Sequence, residues 1–395
     1  MFLRLGLLLC LIQGTVAQFP MPPPPPLQLK IGLLIPKNEP ELAPKMGYRR
    51  SAAAVTLAFD RIMHEQLLPK DTNLSVVWKI EECDEKTASG LTFDLITKDN
   101  VDMIIASPCN EPAIMTSTIA AYYDRPVFLW GATTSGDFSQ MDRFPTIATV
   151  VPNTSDMANT ICRMMNEFHW RNFALVYTST DIKGEKCGYL QKDLEGATDK
   201  YMGCNIAYKR RVIDWHEERI NETLRQIREN ARIVVVCFDQ LPELRKFLLK
   251  LHDHKMDNDE YVYILPDVSA NPSDRLNFYK DLSLNPDKRD NDAFIVAERA
   301  LLLDSTLIEE RTFKNFSEML ISRMDDAPFF CKEECSREVN ASTFAALLHD
   351  TTMLYGLALN HTLRTNRTLF RNGTQVALNA AGITFEGTTV LDLSS

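Results

Sequence analysis

Three groups of residues in this sequence carry side chains suited to chemistry. The first is the run His252-Asp253-His254-Lys255-Met256-Asp257-Asn258-Asp259-Glu260. Imidazoles and carboxylates at this density are a donor set for a divalent metal. The same run also reads as a solvated connection between a helix and a strand, which is normally short and polar, and that reading is preferred. The second is His349-Asp350, an acid–base dyad by residue type. No HExxH, GxSxG or phosphate-loop pattern accompanies it, so it reads as a buried polar pair with partners inside the fold. The third is Trp130-Gly131-Ala132-Thr133-Thr134-Ser135, which follows an apolar run and is rich in hydroxyls. Such groups at a strand end often line the mouth of a cleft, so Trp130, Thr133, Thr134 and Ser135 are ligand-cleft candidates. No residue is assigned to catalysis or to a metal, and no cofactor is expected.

The elements that must position these groups follow from the apolar runs. In the first half, strands are expected at residues 30–35, 74–80, 101–106 and 126–130, with helices at 48–68, 88–97 and 112–123. The alternation restarts with a helix at 156–168. Strands at 173–177, 204–211, 232–237 and 261–265 follow, with helices at 185–200, 217–229 and 241–252. Runs such as Phe173-Ala174-Leu175-Val176-Tyr177 and Ile233-Val234-Val235-Val236 are continuous rather than alternating, as in parallel strands covered on both faces. The fold class is α/β, two lobes each built on a doubly wound parallel sheet, with a junction near residues 145–155. The first lobe takes about residues 29–147 with part of 268–380, and the second about 148–267 with the C-terminal end. Beyond residue 267 the sequence predicts strands at 293–298 and 382–385, the latter pairing with 388–391, and helices at 313–324 and 341–363. After the first strand stands Ile35-Pro36-Lys37 instead of a glycine-rich turn, which disfavours nucleotide binding.

Composition sets the compartment. A formal net charge of -10 over 395 residues disfavours nucleic acid as a partner. Residues 1–17 combine Arg4, a short apolar core and small residues up to Ala17, which is a secretory signal with cleavage after Ala17. A stiff proline-rich leader at 18–28 precedes the folded region, 29–395. Of nine cysteines one, Cys10, falls in the signal, leaving an even number for an oxidising compartment. Sequons at Asn73, Asn153, Asn221, Asn315, Asn340, Asn360, Asn366 and Asn372 agree with a secreted glycoprotein. No stretch outside the signal has the ~20 apolar residues of a membrane helix.

Several stretches resemble the ligand-binding ectodomain of receptor guanylyl cyclases and natriuretic peptide receptors, especially the nematode branch. They are Glu82-Cys83-Asp84 with Ser107-Pro108-Cys109, Trp170-Arg171-Asn172-Phe173-Ala174-Leu175-Val176-Tyr177 with Cys187, and Arg232-Ile233-Val234-Val235-Val236-Cys237. Tyr261-Val262-Tyr263-Ile264-Leu265, Leu348-His349-Asp350 and Phe385-Glu386-Gly387-Thr388-Thr389 complete the series. The resemblance implies the two-lobed type I periplasmic-binding-protein fold, with disulfides Cys83–Cys109 and Cys187–Cys237. Cys331 and Cys335 are close enough in sequence for a small local ring, and Cys162 and Cys204 remain, their pairing (Cys162–Cys204 among the options) left open by the resemblance. The turn Ser107-Pro108-Cys109 departs from the Gly-Pro-x-Cys turn beside which natriuretic receptors bind chloride. The family continues into a membrane helix, a kinase-like domain and a cyclase domain, whereas this sequence stops at Ser395. The expectation is therefore a non-catalytic sensing ectodomain on the extracellular side of the cell membrane, attached through a downstream helix. Its partners are an extracellular ligand, either a peptide or a sensory cue, and a second receptor chain in a homo- or heterodimer. Binding reaches cyclic GMP in the complete receptor through the ligand's unequal affinity for two arrangements. A secreted decoy of the same fold is the alternative, and a secreted hydrolase the third reading.

Overall fold

A computed structural model describes residues 26–179, 186–267, 277–304, 310–335, 338 and 340–388 of the protein. The signal, most of the proline-rich leader, residues 180–185 and residues 389–395 are among those that lie outside the described residues.

The first lobe is a five-stranded parallel sheet in the order β2-β1-β3-β4-β5. Its strands are β1 (Gln28–Ile35), β2 (Asn73–Ile80), β3 (Met103–Ile105), β4 (Val127–Leu129) and β5 (Ile147–Thr149). The second lobe has the order β10-β9-β8-β6-β7, from β6 (Asn172–Tyr177), β7 (Asn205–Arg211), β8 (Ile233–Cys237), β9 (Val262–Asp267) and β10 (Ala300–Asp304). Read from its far end, the second order repeats the first strand for strand, so the two lobes share one doubly wound topology. In such sheets the order reverses at the central strand, and ligands gather at the carboxyl ends there.

The continuous apolar runs are explained by helices on both faces. In β1, Ile31, Leu33 and Ile35 face one core and Leu34 the other. In β8, Ile233 and Val235 face one core, and Val234 and Val236 the other. On the first lobe, short α1 (Ala43–Met46) and α2 (Tyr48–Ser51) lead into α3 (Ala54–His64). The next helices are α4 (Glu85–Thr97) and α5 (Asn110–Tyr122). The second lobe carries α6 (Thr154–Glu167), α7 (Cys187–Lys200), α8 (Glu217–Asn230), α9 (Leu241–Asp253) and α10 (Asp290–Ala297). The chain then returns to the first lobe with α11 (Glu310–Arg323), α12 (Lys332–Cys335), α13 (Phe344–Thr365) and α14 (Gly373–Ala380). Helix α13 is buried over most of its surface and crosses α3 so closely that a Cβ on Gly356 would stand 2.6 Å from Ile62.

Four sequence expectations are corrected. The segment expected as a strand at 293–298 is helix α10, and the strand follows it as β10. Asp290 and Asp292 favour a helix start, and buried Ala293 and Val296 lie three residues apart, on one helical face. The junction region contains an unforeseen strand, β5, whose three residues carry no readable periodicity. No strand forms at 382–385; Ile383 and Phe385 instead pack onto the first-lobe core, so the described part of the C-terminal end sits with the first lobe. Finally, β1 already begins at Gln28 and Leu27 is buried, within the stretch expected as leader.

The candidate ligand-binding surface and the junction between lobes

The hydroxyl-rich stretch after β4 forms the junction between lobes. Trp130 is fully buried and its indole N–H donates to the Ala106 carbonyl at 2.9 Å, so it belongs to the core and does not line a cleft. Thr133 Oγ1 donates to the Trp130 carbonyl at 2.9 Å, which holds the turn. The Ser135 backbone N–H donates to Asn110 Oδ1 at 2.9 Å. The Thr134 carbonyl accepts from the N–H of Thr154 at 2.7 Å and from its hydroxyl at 3.0 Å, which joins the stretch to the start of α6. Thr133, Thr134 and Ser135 are all buried.

Helix α7 crosses from the second lobe to meet them. Its N-terminus is fixed at home: the Asp239 carboxylate accepts from the N–H groups of Lys186 at 2.9 Å and Cys187 at 3.1 Å, and Cys187 is bonded to Cys237. An acidic group at a helix start satisfies free N–H groups and complements the helix dipole. One helical face then reaches the first lobe. The Tyr189 hydroxyl donates to Glu111, and Lys192 Nζ pairs with Asp137 at 3.1 Å. Asp193 Oδ2 accepts from Thr154 Oγ1 at 2.5 Å, and the carboxylate also accepts from the Gly136 backbone N–H. Burial pushes the Asp193 carboxyl above the usual carboxylate range, against the opposing pull of the Thr154 hydrogen bond and Lys192.

Two cavities flank β7, the last strand of its sheet among the described residues. The register slips by one residue opposite Phe173 and Ala174, leaving Ala207 as an extra residue. Such a bulge re-aims the side chains that follow. As a result Ile206 packs toward the α6–α7 layer, whereas Tyr208 packs toward the α8–α9 layer. On the α7 side, Glu195, Thr198, Asp199, Asn205, Ile206 and Lys209 line a cavity of about 480 Å³. On the α8 side, a cavity of about 290 Å³ is lined by Arg210, Arg211, Asp214 and Arg219 over an apolar floor that includes Val212 and Ile220. Lys209 pairs with Glu195 and Arg219 with Asp214. The second cavity is thus lined by three arginines and one aspartate, with the Arg211 guanidinium donating to the Ser179 carbonyl. Sequence reasoning missed this surface; the basic run Lys209-Arg210-Arg211 at a strand end was its one readable signal.

The histidine groups have structural partners. His252 Nδ1 lies 2.7 Å from Asp257 Oδ2, and no group of three or more His, Cys, Asp or Glu side chains is arranged for a metal among the described residues. His349 Nδ1 lies 2.9 Å from both Asp350 Oδ1 and Thr388 Oγ1, and Asp350 Oδ1 accepts from the Thr388 N–H at 2.8 Å. The pair therefore fastens the 383–388 segment to α13.

Disulfides join Cys83–Cys109, Cys162–Cys204, Cys187–Cys237 and Cys331–Cys335, with Cα separations of 5.8, 5.4, 5.5 and 5.3 Å. Around the first, the Glu82 carboxylate gathers the N–H groups of Lys37, Asn38 and Glu39, and Asp84 caps α4. Glu82, Cys83 and Asp84 are thus spent on structure. Among the sequons, Asn73, Asn221, Asn315, Asn340 and Asn366 are exposed, and Asn153, Asn360 and Asn372 are half-buried. Asn153 also caps α6, with Oδ1 accepting from the Asp156 N–H at 2.9 Å.

Residues 50–393 match the family described as the receptor family ligand binding region. The chain is 34% identical over 386 residues to the receptor-type guanylate cyclase gcy-14 of Caenorhabditis elegans, covering 91% of this chain and 34% of the relative. It is 31% identical over 383 residues to gcy-20, with the same coverage, and 30% identical over 357 residues to gcy-13, covering 88% of this chain and 34% of the relative; both are receptor-type guanylate cyclases of that organism. The chain spans about a third of the length of these curated relatives. No helix among the described residues is long and apolar enough to cross a membrane.

Proposed function

The chain belongs to the receptor family ligand-binding region, and from that premise we propose that it is the extracellular sensing part of a receptor-type guanylate cyclase. The region itself is non-catalytic; its role is to bias the arrangement of lobes and of paired chains, which a cyclase elsewhere in the receptor converts to cyclic GMP. Four disulfides support an oxidising, extracellular setting. The exposed sequons Asn73, Asn221, Asn315, Asn340 and Asn366 are the positions for glycans. Self-association uses the outer face of α4 and α5, where Phe93 and Tyr122 are 47% and 84% exposed beside Tyr123.

The observation that carries the ligand site is the edge of β7 with a cavity on each face. An extended peptide uses such a surface fully: its backbone pairs with the free edge, and alternate side chains enter the two cavities. The three arginines select an acidic side chain on the α8 side. The test uses the full-length receptor in cultured cells and synthetic extended peptides of equal length with acidic, neutral or basic side chains at alternate positions. Acidic members should raise cyclic GMP, and Arg210→Glu should weaken their apparent affinity by about tenfold or more, as charged hydrogen bonds are worth ~1.5–3 kcal/mol. Equal response to all three classes, or no effect of Arg210→Glu, overturns this site.

A further inference from the structure

Asp193 of the second lobe stands against the first-lobe turn at Gly136, whose backbone N–H donates to its carboxylate. The hydroxyl of Thr154, at the start of α6 on Asp193's own lobe, donates to Asp193 Oδ2 at 2.5 Å and so fixes the carboxylate for this contact. Gly136 is required by this approach. A Cβ placed there would stand 2.5 and 2.6 Å from the two Asp193 oxygens, inside any permissible contact. Tyr189 to Glu111 and Lys192 to Asp137 flank the same contact from the same face of α7. The helix bearing all three is held to its own lobe by the Asp239 carboxylate and the Cys187–Cys237 disulfide, so it moves with that lobe.

We propose that Asp193 is an internal ligand of the first-lobe turn at Gly136, clasping the two lobes and setting the resting arrangement of the receptor. The clasp is independent of the β7 surface and of any ligand chosen for it. Its contact across the junction is the Asp193 carboxylate against the Gly136 backbone, and the Thr154 hydroxyl positions that carboxylate from its own lobe. The flanking Lys192–Asp137 pair is exposed on its lysine side and contributes little alone.

The test measures the separation of the lobes by spin–spin distance in the folded chain, with labels on unnatural amino acids at exposed Lys86 and Glu229 so that the disulfides stay intact. Asp193→Ala removes the internal ligand, and Gly136→Ala inserts a methyl group against it. Each should shift the distance distribution to longer, broader values with circular dichroism unchanged. Combined, they should open the lobes no further than Asp193→Ala alone, because the added methyl then has nothing to meet. If Asp193→Ala fails to fold, Asp193→Ser, which shortens the side chain and keeps it polar, takes its place and should open the lobes alike. An unchanged distribution in folded Asp193→Ala or Asp193→Ser, or an additive effect of the two alanines, overturns the clasp.

Discussion

Thr154 has one hydroxyl proton and two acceptors, the Thr134 carbonyl at 3.0 Å and Asp193 Oδ2 at 2.5 Å. With Asp193 ionised, only one acceptor is served. With Asp193 protonated, its O–H donates to Thr154 Oγ1 and Thr154 donates to Thr134. Burial is what pushes the Asp193 carboxyl up, against the Thr154 and Gly136 hydrogen bonds, which favour the charged form. The charged groups facing it are Lys192 on its own helix, which opposes the rise, and Asp137 on the first lobe, which adds to it. A raised pKa in the clasped state means that clasping takes up a proton. Clasping should therefore be strongest below the ordinary aspartate value, ~3.9, and weaken as pH rises through the raised value. Spin–spin distances across a pH titration check this. Asp193→Asn, which donates to Thr154 and accepts from Gly136 permanently, should stay clasped and lose the pH dependence.

Among the elements, α13 joins distant parts of the chain. It packs on α3 through Gly356 and carries His349 and Asp350, which hold the backbone of Thr388. The segment that leaves the described first lobe is thereby tied to that lobe's central helix. Asp350→Ala should release it: amide exchange at Thr388 should speed up by about fivefold, the equivalent of the ~1 kcal/mol of one hydrogen bond, while α13 itself stays protected. Unchanged exchange would show that packing of Ile383 and Phe385 holds the segment alone. Strand β7 shows the opposite behaviour, an element whose use depends on an irregularity. Were Ala207 paired in a regular strand, the period of two would place Ile206, Tyr208 and Arg210 on one face. The bulge separates Ile206 from Tyr208 and Arg210, and the alternation that resumes after it sends Lys209 and Arg210 to different cavities.

For the whole molecule, two copies of one sheet topology meet at the junction, where the polar contacts of α7 with the first lobe are the ones a rearrangement has to break. The disulfides Cys162–Cys204 and Cys187–Cys237, with sequence separations of 42 and 50, both lie within the second lobe and none bridges the lobes. The Cys187–Cys237 bond stabilises its lobe by about 4 kcal/mol on chain-entropy grounds. It leaves motion between lobes free. The proposed self-association through α4 and α5 belongs to the same scale. Replacing Phe93 and Tyr122 together by serine should move the chain toward monomer in sedimentation velocity without lowering its melting temperature, since both side chains are largely solvated.

The sequence by itself determined the layers. Runs such as Ile31 to Ile35 and Ile233 to Val236 leave no polar face, so they require parallel strands covered on both sides, and the alternation with helices gives two doubly wound lobes. It also singled out the stretch 130–135, whose hydroxyls do stand at the junction. Tertiary structure decided how those residues are used. Trp130 is spent on the core and His349-Asp350 on holding Thr388, because a side chain's partner is chosen by what the fold brings opposite it. The apolar run at 293–298 was ambiguous because a short buried segment has the same pattern as helix or strand until its neighbour, here α9, is in place. The β7 cavities and the Asp193 clasp were illegible for one reason. Each depends on packing rather than on spacing: the β7 cavities exist only once α7 and α8 lie on the two faces of the strand, and the clasp joins segments far apart in the chain, with 78 positions between Glu111 and Tyr189 at its flank.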